Sequence, residues 1–79
     1  MKLEILTPEK CLFKGDIKSI SVPGKKGSFM VLRNHAPIIS TLSKGDILFM
    51  TKDFKEEVIP VVGGVIEVKS NRIVVLADL

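Results

Sequence analysis

Residues 23–42, PGKKGSFMVLRNHAPIISTL, hold two of the four prolines, two of the six glycines and the one histidine of the chain. Proline fixes its own φ and offers no amide to a ladder, while glycine accepts positive φ, so both mark places where a chain turns. Between them lie two short runs of strand-forming residues, Ser28-Phe29-Met30-Val31-Leu32 and Ile38-Ile39-Ser40-Thr41-Leu42. Arg33-Asn34-His35-Ala36-Pro37 separates them as a tight irregular turn. Pro37 keeps Ala36 out of the helical region, and Asn34 is the residue there best suited to positive φ.

The same grammar continues outward. Lys2-Leu3-Glu4-Ile5 alternates polar and apolar, the period of a half-buried strand, and Thr7-Pro8-Glu9 ends it. Cys11-Leu12-Phe13-Lys14 reads as a second strand, Gly15-Asp16 as a turn, and Ile17-Lys18-Ser19-Ile20-Ser21-Val22 as a third strand closed by Pro23-Gly24. Beyond the opening stretch come Ile47-Leu48-Phe49-Met50, a polar tip at Lys52-Asp53-Phe54-Lys55, and Val58-Ile59-Pro60-Val61-Val62, where Pro60 implies an edge or a bulge. Gly63-Gly64 reads as a turn or a close backbone approach. Val65-Ile66-Glu67-Val68-Lys69 and Ile73-Val74-Val75-Leu76-Ala77 complete the series around a Ser70-Asn71 turn. About nine to ten short strands between turns, with no sustained helical period, predict an all-β fold, a two-layer β-sandwich. The length allows one domain, residues 1–79.

The runs at residues 58–62 and 73–77 contain no polar side chain. Apolar residues on both faces of a strand imply burial on both sides. Barrel-like curling of the sheets would supply that internally, and a docking surface for another protein would supply it externally. Periodicity leaves the two open.

Composition narrows the function classes. The net charge is +3, from 12 basic and 9 acidic residues interspersed along the chain, with four Phe and no Tyr or Trp. Nucleic-acid binding calls for a basic stripe with stacking aromatics, which is missing here. No segment is apolar for long enough to cross a bilayer, and Glu4 and Pro8 interrupt any signal-like run. A cytoplasmic location without membrane insertion is therefore expected, with Cys11 a reduced, partly buried filler.

Chemistry is sparse. His35 is the one group suited to proton transfer near neutral pH, and no carboxylate or nucleophile lies near it in sequence, so a turn histidine bonded to backbone is expected. One Cys and one His cannot build a zinc site. Asp16, Asp46 and Asp53 read as turn residues without calcium-loop spacing. Gly24-Lys25-Lys26-Gly27-Ser28 lacks the spacing and the following helix of a phosphate loop. The expectation is a chain with no cofactor and no catalytic centre. An alternative is a carrier role: lipoyl and biotinyl domains are β-sandwiches of about this size with a lysine at a hairpin tip, and Lys52 occupies such a tip. Thr51 and Asp53 do not fit the run that flanks the lysine there.

The opening stretch, with a second block near the end, is similar to the N-terminal β-sandwich domain of the epsilon subunit of bacterial F-type ATP synthases. The family pattern V-P-G-x-x-G-x-x-x-x-L-P-G-H-A-P-L-x-x-x-L is met by Val22-Pro23-Gly24, Gly27, Leu32, His35-Ala36-Pro37-Ile38 and Leu42. The pattern G-G-x-x-E-V-x-x-N-x-V-x-V-L-A-D is met by Gly63-Gly64-Val65-Ile66-Glu67-Val68, Asn71, Ile73 and Val75-Leu76-Ala77-Asp78. Leu3-Glu4-Ile5-Leu6-Thr7-Pro8-Glu9 matches the family's opening strand. Arg33-Asn34 replaces the usual Pro-Gly, Met30 stands where Gly is common, and Ser28 where Glu is common.

This resemblance implies a non-catalytic central-stalk subunit. Such a subunit binds the gamma subunit through one sheet and touches the polar loops of the membrane c-type ring with loops at one end. It would couple ring rotation to gamma, and so to ATP synthesis, as a peripheral protein at the cytoplasmic face of the cell membrane. Lys26, Gly27, Ser28, Arg33, Asn34, His35 and Ser40 are the candidate ring and gamma contacts. Family members commonly continue into two C-terminal helices that restrain ATP hydrolysis, and these 79 residues hold none of that arm. A naturally short subunit and one domain of a longer protein both fit.

Overall fold

A computed structural model describes all 79 residues, Met1–Leu79. Eight strands follow one another: β1 (Lys2–Leu6), β2 (Cys11–Val22), β3 (Phe29–Val31), β4 (Ile38–Leu42), β5 (Gly45–Thr51), β6 (Glu56–Val61), β7 (Gly63–Lys69) and β8 (Arg72–Asp78). There is no helix. The all-β sandwich expected from the sequence is what forms, with eight strands in place of nine or ten.

The difference lies in β2. Gly15-Asp16 is no turn: it sits inside a strand of 12 residues, with Gly15 opposite Leu3 and Asp16 opposite Lys2. Glycine serves here because a Cβ would stand 3.3 Å from the Phe13 ring. Past Asp16 the strand changes sheets. Its first half pairs with β1, its second half with β3 and β5, and the β2–β5 register shifts between Ile17 and Ser19. A bulge at that place turns the corner between layers. Asp16 and Asp46 therefore lie on strands, and of the three expected turn aspartates only Asp53 keeps that setting.

One sheet runs β4-β7-β8-β1 and the first half of β2, and the other runs β3, the second half of β2, β5 and β6. All pairings are antiparallel except β1 with β8. β4, β3 and β6 each have one neighbour in the sheet and so form edges. Pro60 lies on β6, an edge, as a residue without an amide must.

Fifteen buried apolar residues form one core between the layers. Leu3, Ile5, Ile66, Val68, Ile73, Val75 and Ala77 come from one sheet, and Ile17, Ile20, Val22, Val31, Ile47, Phe49 and Val61 from the other. Leu42 closes an end. The rings of Phe13 and Phe49 meet across the layers with centroids 4.5 Å apart. At Gly64 two backbones crowd: its φ is 145°, and a Cβ there would lie 2.3 Å from the carbonyl oxygen of Leu76. Gly63-Gly64 is thus a close backbone approach within β7, the second of the two readings of that pair.

Candidate functional site

Alternation decides what the greasy strands do. In β8, Ile73, Val75 and Ala77 are buried, while Val74 is half-buried and Leu76 is 54% exposed. In β6, Val61 is buried, and Val58 is 52% exposed. Curling does not hide the second face. It carries apolar side chains into solvent.

Register assembles these side chains into rows on the outer face of the first sheet. Thr41, Val65, Leu76 and Leu6 stand side by side on β4, β7, β8 and β1. Beside them run Ile39, Glu67, Val74 and Glu4, and beyond these Lys69, Arg72, Lys2 and Asp16. The face thus grades from apolar at one end to charged at the other. The outer face of the second sheet is different. Met30, Ser21, Leu48 and Val58 form one row, and Ser19, Met50 and Glu56 the next. Two small serines make the floor of a shallow groove walled by Met30, Leu48 and Met50. Methionines fill such surfaces adaptably, since the thioether chain is unbranched and polarizable.

The candidate contact residues lie along one margin. β3 and β4 are consecutive edge strands, so residues 23–42 wrap one side of the sandwich. Lys26, Gly27 and Ser28 are exposed in the turn before β3, where the Gly27 amide donates to the Gly24 carbonyl at 3.0 Å and φ at Gly27 is 125°. Arg33, Asn34 and His35 follow β3. The three-residue strand β3 joins the two loops. Ser40 lies on β4, half-buried, its hydroxyl donating to the Thr41 carbonyl at 3.1 Å.

Asn34 has φ 65°, as the turn required. Its amide donates to Oδ1 of Asn71 at 2.7 Å, and Nδ2 of Asn71 donates to Oδ1 of Asn34 at 3.1 Å. This double bond pattern pins the loop to the β7–β8 hairpin, 37 residues away in sequence. Sequence reasoning treated Asn71 as an ordinary turn residue. Nothing local in the chain marks it as a partner of Asn34. Nδ1 of His35 lies 2.7 Å from the Ala36 carbonyl, the backbone-bonded turn histidine that was expected.

Cys11 is exposed, contrary to expectation. It pairs with Leu6 across a register shift and shares that residue's outward face. Lys52 is exposed at the β5–β6 turn, its amide donating to the Asp16 carbonyl at 3.3 Å. The neighbouring Phe54 ring lies 4.6 Å beneath Nζ of Lys18. No group of three metal-ligating side chains occurs, and no helix is long and apolar enough to cross a membrane.

The sequence profile of the family described as ATP synthase, Delta/Epsilon chain, beta-sandwich domain matches residues 1–79. An ATP synthase epsilon chain of Leptospira interrogans is 45% identical over 78 residues, which cover 99% of this chain and 61% of that one. The epsilon chain of Chlorobaculum tepidum is 37% identical over 76 residues, covering 96% of this chain and 86% of that one. The chain thus spans about three-fifths of the Leptospira relative and most of the Chlorobaculum one. Among solved structures, a chain of the Euglena gracilis mitochondrial ATP synthase (OSCP/F1/c-ring) superposes with a TM-score of 0.88 at 17% identity, over 95% of this chain and 48% of that one. A chain of the Tetrahymena thermophila mitochondrial ATP synthase, from its central stalk and c-ring, superposes with a TM-score of 0.81 at 17% identity, over 100% of this chain and 63% of that one. These structural likenesses bear on the fold, and the sequence matches on kinship; the lipoyl-type reading of Lys52 draws no support from either. The chain therefore belongs to the delta/epsilon chain family of ATP synthases and carries its β-sandwich domain.

Proposed function

We propose that the chain is a non-catalytic central-stalk subunit of an F-type ATP synthase. It transmits rotation between the membrane ion ring and the gamma subunit, and through gamma to ATP synthesis. Residues 1–79 act as one rigid domain, held peripherally at the cytoplasmic face of the membrane. Torque transmission requires a body that does not deform and surfaces that grip. A close-packed core filled from both layers supports the first. The observation that carries the second is the apolar row Val65, Leu76 and Leu6, set on neighbouring strands and open to solvent or half-buried. Isolated exposed apolar residues are ordinary on any protein, whereas contiguous ones signal contact with a partner.

In this reading one sheet face seats gamma, and the margin formed by residues 23–42 faces the polar loops of the ring. Lys26, Gly27, Ser28, Arg33, Asn34, His35 and Ser40 are its contacts. The shape of the margin, two loops spaced by β3, suits a partner that presents a row of short turns better than a single point. The test is affinity capture of the tagged chain from detergent-solubilised membranes of its own cells. Gamma and ring subunits are expected to co-purify. Recovery as a free monomer without ATPase polypeptides would overturn the reading.

A further inference from the structure

Three cations reach one cleft from three separate elements. Lys18 stands on β2, at the register shift where that strand changes sheets. Lys52 lies in the turn between β5 and β6, and Arg33 in the loop after β3. With Met1, Asp16 and Ile17 they line an open cleft of about 440 Å³. The backbone fixes where they stand. Thr51 pairs with Ile17, and the Lys52 amide donates to the Asp16 carbonyl at 3.3 Å. Arg33 precedes Asn34, whose amide is held by Asn71 at 2.7 Å. None of the three basic side chains donates a hydrogen bond within the chain. Asp16 is the one acid lining the cleft, and it stands opposite Lys2 on β1. The cleft and the turn beside it hold Lys18, Arg33, Lys52 and Lys55 against Asp16 and Asp53, which is two of the three net positive charges of the chain.

A second feature stands at the rim. Phe54 is 71% exposed and holds φ 62°, in the left-handed region. That region suits glycine or asparagine, and a bulky side chain there is strained. The hairpin imposes it: the Phe54 amide donates to the Thr51 carbonyl at 3.0 Å, and the Lys55 amide to the Thr51 hydroxyl at 3.2 Å. The ring takes no part in the core. Its face lies 4.6 Å from Nζ of Lys18, one of the three cations. Folding thus keeps a strained, solvent-facing aromatic ring beside a net positive cleft.

Together the two features fit one occupant. A small soluble anion would use the cations and leave the ring idle. The phosphate layer of an anionic bilayer uses both, because basic side chains meet phosphate oxygens while an aromatic ring settles at headgroup level. Arg33 offers a planar fork to a phosphate, and Lys18 and Lys52 offer mobile point charges. We propose that the cleft of Lys18, Arg33 and Lys52 is a headgroup site for anionic phospholipid, with Phe54 resting among the headgroups beside it. The contact is interfacial and does not enter the hydrocarbon core. Three basic residues give a preference on the order of a hundred-fold for anionic over neutral membranes. That is a weak, reversible hold, suited to orienting a protein that its partners already keep near the membrane. The inference rests on the peripheral placement proposed above and names the lipid chemistry of one contact.

The test is co-sedimentation of the full chain with vesicles of phosphatidylglycerol and phosphatidylcholine, against vesicles of phosphatidylcholine alone. Salt is set at about 0.1 M, where charges more than about 10 Å apart are screened from one another. The chain is expected to sediment with the mixed vesicles and not with the neutral ones. Arg33→Gln and Lys52→Gln should each weaken partition about five-fold, the worth of one basic residue at a charged surface. Lys44→Gln makes the same charge change on an exposed lysine just before β5, at the end of that strand away from Lys52, and should leave partition unchanged. Phe54→Gly should weaken partition several-fold yet melt no lower than the parent, since glycine accepts the left-handed φ. No sedimentation with mixed vesicles, equal sedimentation with neutral ones, or an equal loss from Lys44→Gln would overturn the proposal. Release of the bound chain by inorganic phosphate or by a polyglutamate peptide, at constant ionic strength, would assign the cleft to a soluble anion or an acidic protein and overturn it too. Failure here with gamma still co-purifying would remove this site and leave the stalk assignment standing.

Discussion

Gly64→Ala and Gly27→Ala form a matched pair that separates two costs. Both glycines hold positive φ, 145° and 125°. A Cβ at Gly27 would meet nothing within 4 Å, whereas one at Gly64 would stand 2.3 Å from the Leu76 carbonyl oxygen and 3.3 Å from Cα of Ala77. The backbone strain is common to both and costs about 1–3 kcal/mol. The overlap is peculiar to Gly64. It is made with backbone held in the β7–β8 ladder, so no side chain can swing aside, and forced overpacking adds about 1–3 kcal/mol. A domain of this length has a total stability of about 4–12 kcal/mol. Gly64→Ala therefore removes a large part of it and Gly27→Ala a small part. Each kcal/mol moves Tm by about 4–8 °C at this size, so the two variants should melt about 5–20 °C apart, with Gly64→Ala the lower. Thermal unfolding followed by far-ultraviolet circular dichroism measures the gap, and urea titration at 25 °C checks it. Equal melting temperatures, or a lower one for Gly27→Ala, would refute the claim that β7 and β8 are in backbone contact at Gly64.

Other substitutions probe the surfaces. Leu76→Lys replaces an outward side chain and should change stability by about 0.5 kcal/mol or less; co-purification of gamma should fall sharply. Asn71→Ala removes both bonds to Asn34 and places alanine at φ 59°; a loss of about 2 kcal/mol is expected, with faster hydrogen exchange at the Asn34 amide. Cys11 is exposed, so a thiol reagent should modify it fully in the folded chain without lowering Tm.

How much of this was legible in the chain follows from the range over which each effect acts. Strand boundaries come from alternation, and turns from residues with restricted φ, both local matters. Asn34 at positive φ, Pro60 on an edge and His35 bonded to backbone were all read from neighbours within a few positions. Gly15-Asp16 misled because a glycine that makes room for a ring looks, in sequence, like a glycine that makes a turn. Cys11 misled because a register shift, set by β1, decides its face.

The sequence alone determined an all-β sandwich of short strands, the restricted turns of residues 23–42 and the kinship those turns express. These depend on each residue's own backbone preferences and on its nearest neighbours. Tertiary structure decided that β2 serves both sheets and that Asn34 locks onto Asn71. It also decided that Val65, Leu76 and Leu6 form one row and that residues 23–25 close the outer side of β4 at Leu42. Each of those depends on which strand lies beside which, and pairing between residues distant in the chain is set by burial of the shared core.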